Sequence, residues 1–433
     1  MSFESLGLSP VLLRALAEQG YTAATPIQAA AIPVALEGRD MLAGAQTGTG
    51  KTAAFALPLL ERLFVANATA PANAKRKPRA LILTPTRELA AQVHDSLRTY
   101  AKHVRMFSAT IFGGVSMGPQ MDALRRGVDV LVATPGRLID HMERRTVDLS
   151  GIEILVLDEA DRMLDMGFLP AIKRILGTLP KQRQTLLFSA TFADEIKQIA
   201  AQFMRNPAEI QVAARNSVVS TITHRVHPVE AARKRDLLLH LLAEDSRRQA
   251  LVFSRTKHGA DKLCKFLDAS GLRTAAIHGN KSQNARTKAL KEFKNGKITI
   301  LVATDIAARG LDIDQLPIVI NYDLPMVAED YVHRIGRTGR AGAEGLAVSL
   351  VAQEEVRLLR DIRRLLKQDI AIENVAGYEP NQPLRLEANG PSPGRPRNPN
   401  HARRPHPQGP KKPHSAGNKQ HRQWQGKRDQ RKA

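Results

Sequence analysis

The chain has 433 residues, 43% of them hydrophobic, which suggests two or three domains of about 150 residues each. Its 64 Lys and Arg outnumber its 42 Asp and Glu, and the formal charge of +22 favours a polyanionic partner such as nucleic acid over a merely solvated basic surface. Its apolar stretches are too short and too often interrupted by charge to span a membrane, and a single cysteine excludes an internal disulfide framework.

The N-terminus predicts a helix rather than a targeting signal. It lacks a basic region followed by an apolar one, so a secretory signal is not expected. Ser9 can cap a first helix, Pro10 fits its first position and Gly20 can end it. Together with the lone Cys264, which suits a reducing compartment, this start predicts a cytoplasmic protein.

Short apolar runs then alternate with helical patterns in both halves of the chain. In the first half, the predicted strands are 80–84, 129–133, 152–157 and 184–188. In the second half, they are 223–229, 249–253, 274–277, 299–303, 318–322 and 346–351. These runs are apolar throughout, as in parallel sheets covered by helices on both faces. The sequence therefore predicts two α/β domains, 1–207 and 221–376, joined by a linker at 208–220.

The C-terminal part of the chain has a different composition. The stretch 354–368 predicts an amphipathic helix that packs on the second domain. Its apolar face consists of Val356, Leu359, Ile362 and Leu366. Beyond it, residues 388–433 hold twelve Lys and Arg, one acid and eight prolines. Residues 377–433 are therefore predicted to form a disordered basic tail that adds salt-sensitive affinity for a polyanion.

The segment "AQTGTGKT", residues 45–52, has the composition of a phosphate-binding loop. Gly48 and Gly50 allow backbone N–H groups to turn towards phosphate oxygens. Lys51 adds a positive charge, and the Thr52 hydroxyl can bind Mg²⁺. Ala45 stands where the general loop pattern has its first glycine, so a chance glycine-rich turn is the alternative.

A cluster of acidic residues directly follows the predicted strand 152–157. Such carboxylates repel one another unless a cation lies beside them. Asp158 can hold Mg²⁺ through its water shell, as the aspartate after a strand does in phosphate-loop NTPases. Glu159 can orient the water that attacks the γ-phosphate and accept its proton. A solvated loop after a strand is the alternative.

The segment "HRIGRTGR", residues 333–340, carries three arginines at three-residue intervals. Guanidinium groups suit phosphate oxygens because they donate two parallel hydrogen bonds. The second half of the chain has no glycine-rich lysine loop of its own. We therefore expect these arginines to reach across a cleft towards a nucleotide held by the first domain, with a fixed surface patch as the alternative.

With these motifs in this order, residues 1–370 closely resemble a DEAD-box RNA helicase, more particularly the bacterial RhlE type. Residues 158–161 spell "DEAD". The resemblance implies two tandem RecA-like parallel-sheet domains with an interdomain cleft. In "GYTAATPIQ", residues 20–28, Gln28 would read the adenine edge and the upstream Phe3 would stack on the base. From the residues alone, a hydrophobic staple for the first helix is the other interpretation of Phe3.

The same resemblance implies roles for individual residues. The implied ATP contacts are Phe3, Gln28, Ala45, Gln46, Thr47, Gly48, Thr49, Gly50, Lys51, Thr52 and, on the ribose, Asp312. The implied catalytic set is Lys51, Asp158, Glu159 and the arginine fingers Arg337 and Arg340, with Thr52 and Asp158 near Mg²⁺. The implied RNA contacts are Pro85, Thr86, Arg87, Gly114, Thr134, Arg137, Thr304 and Gly310. The residues implied to couple the two sites are Asp161, Ser189, Thr191 and His333. Hydrogen bonding from 189–191 would give Asp161 a structural partner instead of a metal.

The resulting hypothesis is ATP-dependent unwinding of RNA, with ATP and Mg²⁺ as cofactors. Duplex and single-stranded RNA would be held through the backbone. Ribosomal precursors and the RNA decay machinery are the settings that the resemblance leaves open. One alternative function is an RNA clamp or annealer that uses ATP only to lock onto RNA. The other is a DNA-translocating helicase of the same two-lobed group.

Overall fold

A computed structural model describes residues 1–45, 48–65, 76–212, 222–244, 248–308, 311, 313, 315–339 and 344–385. Within these ranges, no helix is both long enough and apolar enough to cross a membrane. The described chain is built from two parallel sheets with helices packed against them, in keeping with the predicted fold class.

The first sheet has seven parallel strands in the spatial order β3-β4-β2-β5-β6-β1-β7. Its strands are β1 (Met41–Gly44), β2 (Ala80–Leu83), β3 (Ser108–Ile111), β4 (Val130–Ala133), β5 (Ile154–Leu157), β6 (Gln184–Ser189) and β7 (Ala208–Gln211). The associated α-helices are α1 (Pro10–Glu18), α2 (Pro26–Leu36), α3 (Lys51–Leu60), α4 (Arg87–Tyr100), α5 (Gly118–Arg126), α6 (Pro135–Glu143), α7 (Ala160–Asp165), α8 (Leu169–Thr178) and α9 (Asp194–Phe203). We call this unit the first lobe.

The second sheet repeats the same path, in the order β10-β11-β9-β12-β13-β8-β14. Its strands are β8 (Ile222–Pro228), β9 (Ala250–Phe253), β10 (Thr274–Ile277), β11 (Ile300–Ala303), β12 (Ile318–Asn321), β13 (Gly345–Val351) and β14 (Ala371–Ile372). The associated α-helices are α10 (Lys234–Ala243), α11 (Lys257–Ala269), α12 (Gln283–Lys294), α13 (Asp305–Ala308), α14 (Ala328–Ile335) and α15 (Val356–Leu366). Subtracting seven from each strand number gives the order of the first sheet, so the two lobes have one topology.

Each sheet is covered on both faces, which explains why its strands are apolar throughout. Along β5, Ile154 and Val156 belong to one hydrophobic cluster, whereas Leu155 and Leu157 belong to another. Successive side chains of a strand point to opposite faces, so both faces must be buried against helices. A buried parallel sheet leaves its polar chemistry to the loops at the strand ends, and the candidate site lies there.

All ten predicted strands are present, with ends shifted by at most two residues. Four strands were missed, namely β1, β3, β7 and β14. Strand β7 corrects the predicted linker, because 208–211 pairs with β1 at the edge of the first sheet. Its residues alternate between half-buried and exposed, and this edge pattern lacks the apolar run on which the prediction relied. Residues 213–220 of the predicted linker lie outside the described residues.

The second lobe also extends beyond the predicted boundary at 376. Strand β14 pairs with β8, and Tyr378 and Leu384 pack against the hydrophobic clusters of this lobe. The predicted amphipathic helix is confirmed as α15, which buries Val356, Leu359 and Ile362. Residues 386–433, most of the predicted tail, lie outside the described residues.

Candidate functional site

The loop after β1 leads into α3 through two glycines in left-handed conformations. Gly48 has a φ of 79° and Gly50 a φ of 91°. A Cβ atom on Gly50 would lie 2.4 Å from the Gln28 side-chain nitrogen, so both the conformation and the space require glycine. Helix α3 then begins at Lys51, and its N-terminal N–H groups and dipole favour an anion at this point.

Three neighbouring strands bring the glycine loop, the acidic cluster and 189–191 together at their carboxyl ends. Strands β5, β6 and β1 lie side by side, and they are followed by Asp158, Ala190 and the loop from Ala45. The Ala45 N–H donates to the Ser189 carbonyl at 3.0 Å, which fixes the start of the loop against β6. The acidic cluster and the glycine loop are therefore neighbours, as the two motifs predicted.

A cleft of about 330 Å³ opens at this edge, and residues of both lobes line it. From the first lobe come Tyr21, Gly48, Gly50, Lys51, Thr52, Ala53, Leu89, Gln92, Ser96, Tyr100, Asp158 and Glu159. From the second lobe come Leu311 and Arg337. Lys51, Asp158 and Glu159 are each less than 10% exposed. The cleft therefore places one buried lysine and two buried carboxylates beside an arginine from the other lobe.

These buried charges have polar atoms that the described protein does not satisfy. Lys51 Nζ, Asp158 Oδ1 and Glu159 Oε2 are buried and have no hydrogen-bond partner among the described residues. The Glu159 oxygen does lie 3.8 Å from Nε of Arg162, which follows it on α7. Buried charged groups without hydrogen bonds are costly, so these atoms fit a polar ligand with both a phosphate and a cation.

The Asp158 carboxyl has a strongly perturbed acidity. Its burial raises its pKa from the usual 3.8 to about 6, while the nearby Lys51 ammonium opposes the rise. The neighbouring carboxylates Glu159 and Asp161 add to the rise because like charges disfavour ionisation. A carboxylate in such surroundings is a candidate for binding a cation.

Asp161 has a different environment from Asp158. Its Oδ2 accepts the Ala190 N–H at 3.0 Å, and its Oδ1 accepts the Arg162 N–H at 3.0 Å. The Ser189 hydroxyl donates to the Thr191 carbonyl at 2.6 Å and holds the same turn. The structure thus contains the link between the acidic cluster and 189–191 that the motif resemblance implied.

The residues predicted to lie near Mg²⁺ face one cleft. Thr52 and Asp158 both line it, and the described residues contain no group of three or more His, Cys, Asp or Glu side chains that could hold a metal by themselves. Mg²⁺ usually keeps several waters and binds through one or two carboxylates and substrate phosphates. The Thr52 hydroxyl and the unsatisfied Asp158 oxygen are donors of this kind, and the cleft leaves room beside them for a triphosphate.

The two residues predicted to bind adenine lie behind the loop rather than on the cleft wall. Gln28 Nε2 donates to the Gly50 carbonyl at 3.1 Å, and Gln28 Oε1 accepts the Thr25 N–H at 2.9 Å. Phe3 is buried in the core and meets Tyr21 edge to face, with ring centroids 6.1 Å apart. The structure corresponds to the alternative interpretation of Phe3 as a packing residue, and Tyr21 is the aromatic that lines the cleft.

The arginines of 333–340 have separate environments. Arg334 is buried, forms an ion pair with Asp305 at 2.5 Å and donates to the Asp323 carbonyl, so it supports the second lobe. Arg337 donates to the Leu311 carbonyl at 2.7 Å and lines the cleft. His333 lies with both in a smaller depression that Arg162 also lines. Five predicted site residues lie outside the described residues, namely Gln46, Thr47, Gly310, Asp312 and Arg340.

The residues predicted to contact RNA in the first lobe also follow the carboxyl ends of strands, but on the other side of β5 in the sheet. Pro85, Thr86 and Arg87 follow β2, Gly114 follows β3, and Thr134 and Arg137 follow β4. A Cβ atom on Gly114 would lie 1.8 Å from an Arg87 nitrogen, so the glycine makes room for this guanidinium. Arg137 donates to the Val115 carbonyl at 3.1 Å. Thr304 follows β11, which occupies in the second sheet the place of β4 in the first.

The sequence interpretation missed a contact between the lobes. Glu88, on α4, accepts from Arg286 of α12 at 3.0 Å and from Gln283 at 2.8 Å. Arg87 is 3.4 Å from Gln283. Both charged groups of the Glu88–Arg286 pair are at most 10% exposed. Local periodicity carries no signal for a contact between residues about two hundred positions apart.

Among the described residues of the second lobe, the position equivalent to Lys51 lacks a lysine that could meet a phosphate. Lys234 begins α10 after β8, in the place that Lys51 takes after β1. Its ammonium forms an ion pair with Glu355 and donates to the Tyr322 carbonyl at 2.8 Å. The equivalent lysine is therefore already neutralised inside the lobe.

A parallel-sheet lobe with a phosphate loop, facing an arginine from a second lobe of the same topology, defines a two-lobed nucleotide-hydrolysing protein. The DEAD/DEAH box helicase family matches residues 25–199, and the helicase conserved C-terminal domain matches residues 233–342. The chain belongs to the DEAD-box ATP-dependent RNA helicase family.

Individual relatives agree with this assignment. The DEAD-box ATP-dependent RNA helicase CshA of Bacillus cereus is 44% identical over 367 residues, which cover 85% of this chain and 68% of that protein. The ATP-dependent RNA helicase CshA of Listeria monocytogenes is 44% identical over 368 residues, covering 84% and 69%. Among solved structures, S. cerevisiae Dbp5 bound to RNA and ADP BeF3 has a TM-score of 0.77 at 33% identity, covering 86% of this chain and 95% of that one.

Proposed function

We propose that this ATP-dependent RNA helicase hydrolyses ATP at the cleft between its lobes and uses the closure of the cleft to separate RNA strands locally. The observation that carries the proposal is the set of unsatisfied buried atoms on Lys51, Asp158 and Glu159, which face a cleft that Arg337 of the second lobe also lines. A triphosphate with its cation would satisfy all of these groups at once.

Each group of the cleft has a role in phosphoryl transfer. The N–H groups of the glycine loop and Lys51 bind the phosphates, while Glu159 orients the attacking water and accepts its proton. Arg337, together with Arg340 three residues later, stabilises the charge that develops on the transferred phosphoryl group. Mg²⁺, held through Thr52 and Asp158, would supply neutralisation of the phosphate oxygens. Asp312 contacts the ribose and Gln28 contacts the adenine edge once ATP is bound, while the buried Phe3 keeps its packing role against Tyr21.

The RNA groove follows from the repeated topology of the lobes. In the first lobe, the proposed contacts follow β3, β4 and β2, which are adjacent in the sheet. Thr304 and Gly310 of the second lobe come after β11, which is adjacent to β10 and β9. When the lobes close, the loops after these strands in the first lobe and the loop after β11 in the second lobe form one groove for the sugar-phosphate backbone. Because the groove contacts the backbone, little base specificity is expected. Contacts with the 2′-OH would favour RNA over DNA.

Asp161 is well placed to link the two activities. It is hydrogen-bonded to Ala190 and follows the residues that face the phosphates. Loss of the γ-phosphate can therefore shift 189–191 through Asp161. This shift would alter the contact between the lobes near His333. RNA binds more tightly to the closed state, ATP favours the same state, and hydrolysis removes the bridge and releases RNA. A strand bent in the groove cannot stay in a regular duplex, so its partner strand leaves.

Several finer assignments belong to the proposal. The bacterial RhlE type rests on the motif resemblance alone. A cytoplasmic location fits the single cysteine. Ribosomal precursors and the RNA decay machinery are the proposed settings. The basic residues of 388–433 would tether the core near structured RNA through salt-sensitive contacts.

Substitution of the cleft lysine tests the proposal. The Lys51→Ala variant should lose binding of a fluorescent ATP analogue, because no other cation of the loop neutralises the phosphates. The Arg337→Ala variant should bind the analogue but lose RNA-stimulated hydrolysis. Arg174→Ala, which removes an exposed arginine of α8, is the control for loss of charge. Unchanged ATP affinity in Lys51→Ala would reject the assigned site.

The same assay separates the rival functions. A helicase of this kind should hydrolyse ATP faster with single-stranded RNA than with DNA of the same sequence, whereas a DNA translocase should prefer DNA. After removal of 388–433, an annealer should lose its main activity, while a helicase core should keep RNA-stimulated hydrolysis.

A further inference from the structure

The first lobe has a basic cleft at the amino ends of its strands, whereas the ATP cleft lies at their carboxyl ends. All seven strands are parallel, so residues that precede strands lie at one edge and residues that follow them lie at the other. Arg76 comes shortly before β2, Phe107 precedes β3, and Asp129 precedes β4, whereas Asp158 and Thr134 follow their strands. The whole length of the sheet thus separates this basic cleft from the ATP and RNA contacts proposed above.

The basic cleft has a volume of about 390 Å³, large enough for part of a polymer or a small molecule. Its charged lining consists of Arg76, Lys77, Arg125 and Arg145 against the single acid Asp148, a balance of four positive charges to one negative. Asp148 pairs with Lys77 at 2.8 Å, Arg125 pairs with the exposed Asp122 outside the lining at 2.7 Å, and Arg76 lies 3.9 Å from Asp129. Arg145 is exposed and makes no ion pair with any described residue. An anion in this cleft would meet several guanidinium groups.

An aromatic platform adjoins the arginines. Phe107 is 43% exposed, and the Arg76 guanidinium lies 4.0 Å from the centre of its ring. The Asp129 carboxylate holds both residues, since it accepts the Phe107 N–H at 2.9 Å and lies 3.9 Å from Arg76 Nε. Gly127 lets Arg76 approach closely, because a Cβ atom there would lie 2.9 Å from the Arg76 Cβ. The platform is therefore positioned by Asp129, with Gly127 providing the space for Arg76.

This combination is typical of proteins that bind single-stranded nucleic acid. Arginines along a groove bind backbone phosphates, and an exposed aromatic with a stacked arginine gives a base a face on which to stack. An acidic protein segment would use the charges but not the exposed ring. The protein's own basic tail is excluded as an occupant, because its charge has the same sign as the cleft.

We propose that this cleft is an accessory site for single-stranded RNA, in which a base stacks on Phe107 and Arg76 while Arg125 and Arg145 bind the flanking phosphates. The site goes beyond the unwinding groove and does not depend on the roles assigned there. A globular lobe of this size is about 40 Å across, so only an RNA long enough to pass around the lobe reaches both places. The accessory site would hold a displaced or flanking strand while the groove holds the strand being bent.

The test measures affinity for short and long RNA with the full chain. An oligonucleotide of about 8 nucleotides fills only the groove, and one of about 40 nucleotides also reaches the accessory site. The double variant Arg125→Glu with Arg145→Glu should bind the long RNA at least about tenfold more weakly at low salt, and the salt slope should fall by about 1.4 for two lost phosphates. The Arg14→Glu variant is the matched control, because it reverses an exposed arginine in a similar helical ion pair outside the basic cleft.

Replacement of the aromatic tests the stacking contact separately. The Phe107→Ala variant should bind the long RNA about fivefold or more weakly, and Phe107→Trp should keep the affinity because it keeps a ring. Binding of the short RNA, and ATP hydrolysis with that RNA at saturation, should be unchanged in all these variants.

Three results would overturn the proposal. Unchanged affinity for the long RNA in both the arginine and the Phe107→Ala variants would mean that the cleft does not bind RNA. Equal losses for short and long RNA would mean that these residues belong to the main groove. Loss of binding to polyglutamate without any loss for RNA would assign the cleft to an acidic protein instead.

Discussion

The Asp158→Asn substitution is expected to abolish ATP turnover and yet to make the nucleotide-free protein more stable. Burial raises the pKa of this carboxyl from 3.8 to about 6, so the folded protein holds the proton more tightly than the unfolded chain does. Between these two values the native state binds more protons, and stability therefore falls as the pH rises. Above pH about 6 the full penalty of the ionised group is present.

The size of the effect follows from this shift. A change of roughly two pKa units corresponds to about 3 kcal/mol, because one unit is worth about 1.36 kcal/mol. Asparagine carries no charge, so the variant should regain up to this amount at pH about 7.5. For a domain of roughly 200 residues, a gain of this size raises the melting temperature by roughly 6 to 12 °C.

Thermal unfolding of the nucleotide-free protein, with and without ATP and Mg²⁺, is the assay. Wild type should gain stability on addition of ATP and Mg²⁺, and Asp158→Asn should gain much less. Asp161→Asn is the matched control in the same cluster. Because both Asp161 oxygens accept backbone N–H groups, its loss should destabilise the protein by about 1 to 3 kcal/mol. An Asp158→Asn protein that melts at or below the wild-type temperature would refute the reasoning.

Further predictions concern the general base Glu159, the glycine loop, the Glu88–Arg286 contact between the lobes and the basic tail. Glu159→Gln should keep nucleotide affinity but slow phosphate release by a factor of about 10² to 10⁴, and normal release would contradict its role. Gly50→Ala should weaken ATP binding at least about tenfold, since its left-handed backbone and the nearby Gln28 leave no space for a methyl group. Gly177→Ala, with open space around it, is the control and should leave ATP affinity unaltered. Replacing Arg286 and Glu88 by alanine, singly and together, should reveal a coupling of about 1 to 3 kcal/mol in RNA affinity, and additive effects would argue against the contact in the closed state. Removal of 388–433 should flatten the salt dependence of RNA affinity, and an unaltered slope would count against electrostatic tethering.

The sequence predicts strands well where both faces of the sheet are buried. Ile154 to Leu157 form an unbroken apolar run, which only a covered parallel strand or a buried helix tolerates. Strand β7, "AEIQ", lies at a sheet edge and is half-buried, so its polar residues resemble a linker. Strand β1, "MLAG", is fully buried but short and rich in small residues. These strands are defined by their neighbours in the sheet rather than by their own composition.

The same division holds for the site. Lys51 and Asp158 belong to short motifs whose chemistry can be recognised from residue types, and the sheet brings these motifs to one edge. The Glu88–Arg286 pair depends on the arrangement of two lobes, which no local pattern contains. Phe3 shows a further limit, because its residue type suits both a base contact and a core position, and only tertiary packing decides between them.

The neutralised Lys234 has a consequence for stoichiometry. Because the Lys234 ammonium is paired with Glu355 and not free for a phosphate, each chain is expected to bind a single molecule of ATP. Each molecule of ATP that is hydrolysed then corresponds to one closing and opening of the cleft. The length of duplex opened per event is therefore limited by the span of the groove, and longer duplexes should require independent encounters rather than continuous travel along the strand.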